Sequence, residues 1–245
     1  MADVTVHVIP NSHPCRTVLE AVRIKGIDAE IVTLVPGPHN QDVAGIYGEG
    51  LRTVPGMVVD GEPIHGSVAI LERLEELAPD PTLYPADIAD AVHEAERWGD
   101  GELQDLGRRF VWGPLRFRPE AAGTYGGGGP LDPGGVDFFL KFVHGAWAYH
   151  SITAARLYDD LQGFPALLDQ ADAYATAGVL GDEAPTAAGL QIGATLRLLL
   201  TVGDLRPLID PRPSGVLARR FFPEYAGDLP AGAFPAGWVP APAAG

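Results

Sequence analysis

Asn11-Ser12-His13-Pro14-Cys15-Arg16-Thr17-Val18 is the stretch whose reading decides the fold. It follows Val4, Val6 and Val8, which alternate with polar residues over 3–9 in the two-residue period of a half-buried strand. It leads into Val18, Leu19, Val22 and Ile24 at helical spacing over 14–25, with Gly26 as the stop. The stretch is therefore a strand-to-helix loop. Helix N-termini gather unpaired N–H groups and positive potential, so they favour anions and lower the pKa of a thiol placed there. A hydroxyl at this point donates a hydrogen bond to a bound thiolate and keeps it ionised, and Ser12 is placed for that work. Its blander role is as a plain cap of the helix.

Working outward, Ala29–Leu34 reads as a second strand, and residues 36–53, rich in Gly and Pro, give no clear element. Met57–Val59 and Pro63–His65 flank Asp60-Gly61, a strong two-residue turn signal, and so predict a hairpin. Thr53-Val54-Pro55 stands before it, and Pro55 reads as a cis-proline that turns the Val54 backbone outward. The alternative is a trans-proline opening an edge strand. Ser67 is expected to cap a helix holding Ala69, Ile70, Leu71, Leu74 and Leu77, and Gly66-Ser67 offers a hydroxyl and N–H groups to a carboxylate. The order is βαβ, an irregular segment, then ββα.

Residues 79–86 hold three prolines and read as a linker. Strand signals then largely stop. One long helix is expected over 87–113, and a Gly-rich flexible loop over 119–135. Helices come next at about 136–162, 165–177, 187–201 and 214–222, with an irregular tail over 223–245. Trp98, Asp105, Arg109 and Trp112 are expected near one face of the 87–113 helix. Thr186 is expected to cap the helix at 187, and Gly189 forfeits the acidic partner of a full capping box, so Gly189→Asp is expected to stabilise unless another element packs closely there.

Composition narrows the function classes. The chain has 245 residues, 17 basic against 32 acidic, and a net charge of −15, which disfavours a nucleic-acid surface. No apolar run reaches the roughly 18–20 residues of a membrane span. The N-terminus lacks a signal-peptide pattern, so a cytoplasmic location is expected. The single cysteine, Cys15, excludes an internal disulfide and a multi-cysteine metal site. The scattered His residues predict no metal site. With Ser12 first, the Ser-x-x-Cys spacing excludes a dithiol redox cycle, and Cys15 is expected to be buried and inert.

Taken in order, these segments resemble the glutathione transferase superfamily. Ser12-His13-Pro14-Cys15-Arg16-Thr17-Val18 is similar to the Ser-x-Pro-Cys-Arg-x-Val signature of the delta and theta types. Thr53-Val54-Pro55-Gly56-Met57-Val58 with Asp60-Gly61 resembles their cis-proline strand and hairpin. Ser67-Val68-Ala69-Ile70, Leu83-Tyr84-Pro85 and Pro185-Thr186-Ala187-Ala188-Gly189-Leu190-Gln191 resemble the third helix, the linker and the capped core helix.

The resemblance implies a thioredoxin-like α/β domain over 1–78, a linker over 79–86 and an all-helical domain over 87–222. It implies a cytoplasmic homodimer that conjugates a low-molecular-weight thiol to an electrophile, with no metal. Ser12 would activate the thiol. Arg52, Val54, Pro55, Gly66 and Ser67 would bind it, and His13, Arg109 and Trp112 would flank the electrophile. Where the family usually has Glu or Gln, this chain has Gly66, which leaves another thiol such as mycothiol open beside glutathione. Two further alternatives stay open: a non-catalytic member binding a ligand or protein, and an isomerase that recycles the thiol.

Overall fold

The structure, a computed structural model, describes residues 2–242. Its first part is a four-stranded sheet in the order β2-β1-β3-β4, with β1 at Val4–Val8, β2 at Glu30–Thr33, β3 at Gly56–Val59 and β4 at Glu62–His65. β1 and β2 are parallel, joined through helix α1 at His13–Lys25, and the other two pairs are antiparallel. Asp60 and Gly61 both take positive φ, 50° and 85°, the backbone that a tight hairpin needs. Helix α3, Ser67–Leu77, completes the expected βαβ-ββα order.

Two local expectations are corrected here. The segment 36–53, which gave no clear element, holds helix α2 at His39–Tyr47. The cap of α3 is Gly66, at φ 94°, and Ser67 is the first helical residue with its hydroxyl engaged elsewhere.

The remainder is helical. Helix α4, Ala89–Trp98, runs through a π turn at Gly99–Leu103 into α5 at Gln104–Leu115. A π turn carries an extra residue and rotates every later side chain about the helix axis. Trp98 therefore does not share a face with Asp105 and Arg109: it packs on Tyr174, with ring centroids 5.7 Å apart. Residues 119–125 are a 3-10 turn and the short helix α6, Ala122–Tyr125, so the expected flexible loop shrinks to residues 126–132.

Helix α7 runs over Pro133–Tyr149 and α8 over Ala154–Thr176. The break expected near 163 lies at 150–153 instead, where Ser151 takes φ 51° and the Thr153 hydroxyl caps α8 by accepting from the Arg156 N–H at 3.1 Å. Pro165 sits inside α8 without ending it. Helices α9 at Ala187–Leu199, α10 at Arg206–Ile209 and α11 at Pro213–Phe221 complete this part. From 223 to 242 the chain forms no helix. It is pinned by the Asp204 carboxylate, which accepts from the N–H groups of Gly232, Ala233 and Phe234 at 2.6, 2.8 and 3.0 Å. Residues 243–245 of the expected tail lie outside the described residues.

All thirteen residues of α9 are buried. Helix α9 packs on α1, α4, α5 and α11 and so joins the sheet part to the helical part. The 79–86 segment is fixed at both ends. Lys25 donates to the Ala78 and Pro81 carbonyls at 2.8 Å, and the Ala187 N–H donates to the Leu83 carbonyl at 2.9 Å.

Thr186 caps α9 as expected, accepting from the Gly189 N–H at 3.1 Å. The companion expectation for Gly189 is overturned. A Cβ there would lie 2.0 Å from the Leu180 carbonyl oxygen and 3.2 Å from the Phe221 ring, so Gly189 is the space into which the 179–180 backbone packs. Gly189→Ala and Gly189→Asp are both expected to lower the unfolding free energy, by about 1–3 kcal/mol for the overpacking alone, and with it the midpoint of denaturant unfolding. A raised midpoint for Gly189→Asp would restore the capping account.

Candidate active site

His7 of β1, Gly56 of β3 and His65 of β4 lie side by side in one row of the sheet. The segment leaving β1, the one entering β3 and the one leaving β4 therefore emerge at the same end. They carry Ser12, Val54 and Ser67, so register brings together three residues far apart in sequence. Gly56 is required in this row: a Cβ would lie 2.2 Å from the Tyr47 ring, whose hydroxyl meets His7 Nδ1 at 2.6 Å.

Ser12 occupies the N-cap of α1, donating its N–H to the Ile9 carbonyl and accepting from the Arg16 N–H, both at 2.9 Å. Its hydroxyl makes no capping bond, and the residue is half-buried. The backbone thus starts the helix while the hydroxyl is left out of the cap. The Val54-Pro55 bond is cis, as the sequence predicts. Among the described residues the Val54 N–H and C=O have no protein partner. The preceding residue is fixed, because the Thr53 carbonyl accepts from His65 Nε2 at 2.7 Å. Pro55 is fixed too, its carbonyl accepting from the Gly66 N–H at 3.1 Å.

Ser67 is buried and its hydroxyl is already in use. It donates to Asp100 Oδ1 at 3.1 Å and accepts from Gln191 Nε2 at 2.9 Å. Asp100 Oδ1 also accepts from Gln104 and Gln191 at 3.1 and 3.2 Å, and Gln191 Oε1 is buried without a partner. Sequence reasoning missed Asp100 and Gln191. Their pairing with Ser67 spans 33 and 124 residues, and no local pattern marks it.

Beside this network lies a cleft of about 530 Å³, walled by Thr53 from the sheet part, by Gln104, Arg108 and Arg109 from α5, and by Tyr149, His150, Ser151 and Arg156 across the α7–α8 junction. Arg109 reaches it while paired to Asp160 at 2.6 Å. Trp112 does not line it: the ring stacks near Phe139, centroids 6.0 Å apart, and its carbonyl accepts from Trp147 Nε1. His13 lies buried behind α5, its Nε2 without a partner, 3.8 Å from where a Gly107 side chain would begin. Burial, with Arg108 nearby, holds its pKa well below the usual imidazole value. Burial and the same arginine push His150 down to about 4. Arg52 is exposed.

The C-terminal tail adds a residue that no sequence pattern places here. The Tyr225 hydroxyl donates to the Asn11 carbonyl at 2.8 Å, and the Arg16 guanidinium lies over its ring at 5.8 Å. The tail thus braces the Ser12 loop from outside. Among the described residues no group of three His, Cys, Asp or Glu is arranged to hold a metal, and no helix is long and apolar enough to cross a membrane.

Residues 6–82 match the family model of the glutathione S-transferase N-terminal domain. No curated protein matches the chain by sequence. Among solved structures, a beta-etherase from Sphingobium is 15% identical, with a TM-score of 0.63 over 89% of this chain and 93% of that one. A glutathione S-transferase from Rhodospirillum rubrum is 23% identical, with a TM-score of 0.52 over 89% and 86%. A maleylacetoacetate isomerase from Anaeromyxobacter dehalogenans is 18% identical, with a TM-score of 0.52 over 89% and 84%. At these identities the likeness establishes the fold: a thioredoxin-like α/β part followed by an all-helical part.

Cys15 is fully buried, and burial pushes its thiol up to about 11, against the weaker opposing effects of the Ile9 backbone and the Ser12 side chain. The thiolate is the reactive form. Iodoacetamide at pH 8 is therefore expected to alkylate the native protein at least about 100-fold more slowly than the unfolded chain, whose thiol has a pKa of about 8.5. Equal rates would show that Cys15 is accessible and ionised.

Proposed function

We propose that this chain, which has a glutathione S-transferase N-terminal domain and the glutathione-transferase fold throughout, is a thiol transferase. It conjugates a low-molecular-weight thiol to an electrophilic small molecule. The observation that carries this reading is the convergence of the Ser12 hydroxyl, which makes no capping bond, the unpartnered Val54 backbone and the N-terminus of α3 at one end of the sheet.

An extended thiol peptide would pair its cysteinyl backbone with Val54, which would direct its sulfur toward Ser12. The Ser12 hydroxyl then donates to the sulfur and favours the thiolate, with the thiol proton passing to solvent. The sulfur lone pair forms the new S–C bond, and the leaving group departs with its bonding electrons. Catalysis of this kind is positioning plus stabilisation of a charge by a preorganised donor.

At the far end of the thiol, the α3 N-terminus suits a carboxylate. The Ser67 hydroxyl is occupied, so that carboxylate would rest on backbone N–H groups. Asp100 supplies the acidic group that Gly66 lacks and suits an ammonium, as the γ-glutamyl end of glutathione carries. Residues 1–78 would hold the thiol and residues 87–222 the electrophile. The protein would act as a cytoplasmic homodimer, and mycothiol belongs beside glutathione in any thiol screen.

Gly66 cannot be tested by adding a side chain, since φ 94° is strained for any L-residue. Ser12 can. Ser12→Ala is expected to lower turnover about 10–1000-fold, the range for losing one preorganised donor, while thiol affinity by calorimetry changes far less. Unchanged turnover would remove Ser12 from the mechanism.

A further inference from the structure

The wall of the cleft away from Ser67 carries a charge pattern that the thiol chemistry does not use. Three guanidiniums line it: Arg108, Arg109 and Arg156. Arg109 is matched by Asp160, through bonds of 2.6 and 3.3 Å. Arg108 is matched by Asp105 at 2.7 Å and also donates to Gln104. Asp100, the other carboxylate of the cleft, is tied to Ser67, Gln104 and Gln191.

Arg156 differs from the other two. Its side chain reaches the Ser151 carbonyl at 3.5 Å, and it forms no ion pair among the described residues. In a chain of net charge −15, this cationic group stands unmatched in a concave wall.

The surroundings suit an anion at this point. The Thr153 cap fixes the Arg156 backbone in the first turn of a 23-residue helix, the end of a helix that favours negative charge. The two nearest perturbed imidazoles, His150 and His13, both feel Arg108, and His150 also feels Arg109. Facing His150, Asp105 is the group of opposite sign, and it is held by Arg108. Tyr149 lines the cleft with its ring perpendicular to that of His150, centroids 4.9 Å apart, and it is exposed enough to meet a planar group.

We propose that the cleft takes an electrophile bearing a carboxylate, with Arg156 holding the carboxylate and Tyr149 lying against a planar, unsaturated body. Arg156 is then a specificity-determining residue. The identity of this anion as the second substrate rests on the thiol-transferase reading, whereas the anion site itself does not.

Two unreactive probes test the site by calorimetry: 4-nitrobenzoate and its neutral counterpart 4-nitrobenzamide. Wild-type protein is expected to bind the benzoate at least about tenfold more tightly, as a charge-assisted hydrogen bond allows. Arg156→Gln is expected to erase that preference while leaving the benzamide affinity within about twofold, because the neutral probe makes no use of the charge. Raised salt should weaken the benzoate alone.

Equal binding of the two probes to the wild type overturns the proposal, as does a preference that survives in Arg156→Gln. Kinetics with 4-chloro-3-nitrobenzoate and its methyl ester, each corrected for its uncatalysed rate, separate the two readings. Benzoate preference in binding without any thiol conjugate keeps the anion site and removes the transferase. Ser12-dependent conjugation of both substrates without benzoate preference keeps the transferase and removes the anion site.

Discussion

Helix α9 has no side facing solvent, and that constraint organises the rest of the molecule. Leu190, Ile192, Leu196, Leu198 and Leu199 leave α9 no exposed stripe, and a helix without one must be surrounded. Four helices close on it, and two of them position the site. The buried Thr17 hydroxyl of α1 donates to the Leu190 carbonyl at 3.3 Å, which sets α1, and with it the Ser12 loop, against α9. The π turn presses Gly99 against the same helix, where a Cβ would meet Ile192 at 2.9 Å. The small residues of this region mark the closest approaches: Gly107 against Thr195, Gly189 against Leu180 and Gly193 against Phe222.

The polar groups on α9 join the two parts where burial alone would only press them together. Gln191 reaches from the core to Ser67 and Asp100, so the start of α3 and the π turn are held by one amide. Arg197 donates to the Phe222 and Pro223 carbonyls, which starts the tail on its way to Tyr225 and the Ser12 loop. Buried polar groups are costly when unpaired, so these bonds specify one arrangement of the sheet part against the helices. The start of α3 and the α5 wall of the cleft are thus held by the same core helix.

Much of this is legible in the sequence where the signal is local. The valines of β1, the Asp60-Gly61 turn, Pro55, the Thr186 cap and the Ser12 loop all act within a few residues of themselves. Helix α2 was not legible because Val43 is its only buried residue, so it carries no apolar stripe to read. The break expected between 162 and 165 is absent for a different reason, although Pro165 stands there. Leu157, Leu161, Phe164 and Leu168 bury one face of α8 on both sides of the proline, and packing outweighs the missing hydrogen bond. The π turn, Asp100 and Tyr225 depend on partners remote in the chain and leave no periodic trace. Trp112 shows the same limit, since helical spacing places it on the Arg109 face and the neighbouring α7 takes it away from the cleft.

The central claim is that Ser12 stabilises a thiolate on a bound thiol, and the most direct measurement is the pKa of that thiol. The ultraviolet absorbance of the thiolate can be followed against pH for glutathione, and for mycothiol, on saturated protein. The buried Cys15 does not titrate in the relevant range, its thiol lying at about 11. The account requires an apparent pKa clearly below the value of about 8.5 for a free thiol, returning toward that value in Ser12→Ala. A bound thiol that titrates like the free one, or an equal depression in Ser12→Ala, would contradict it.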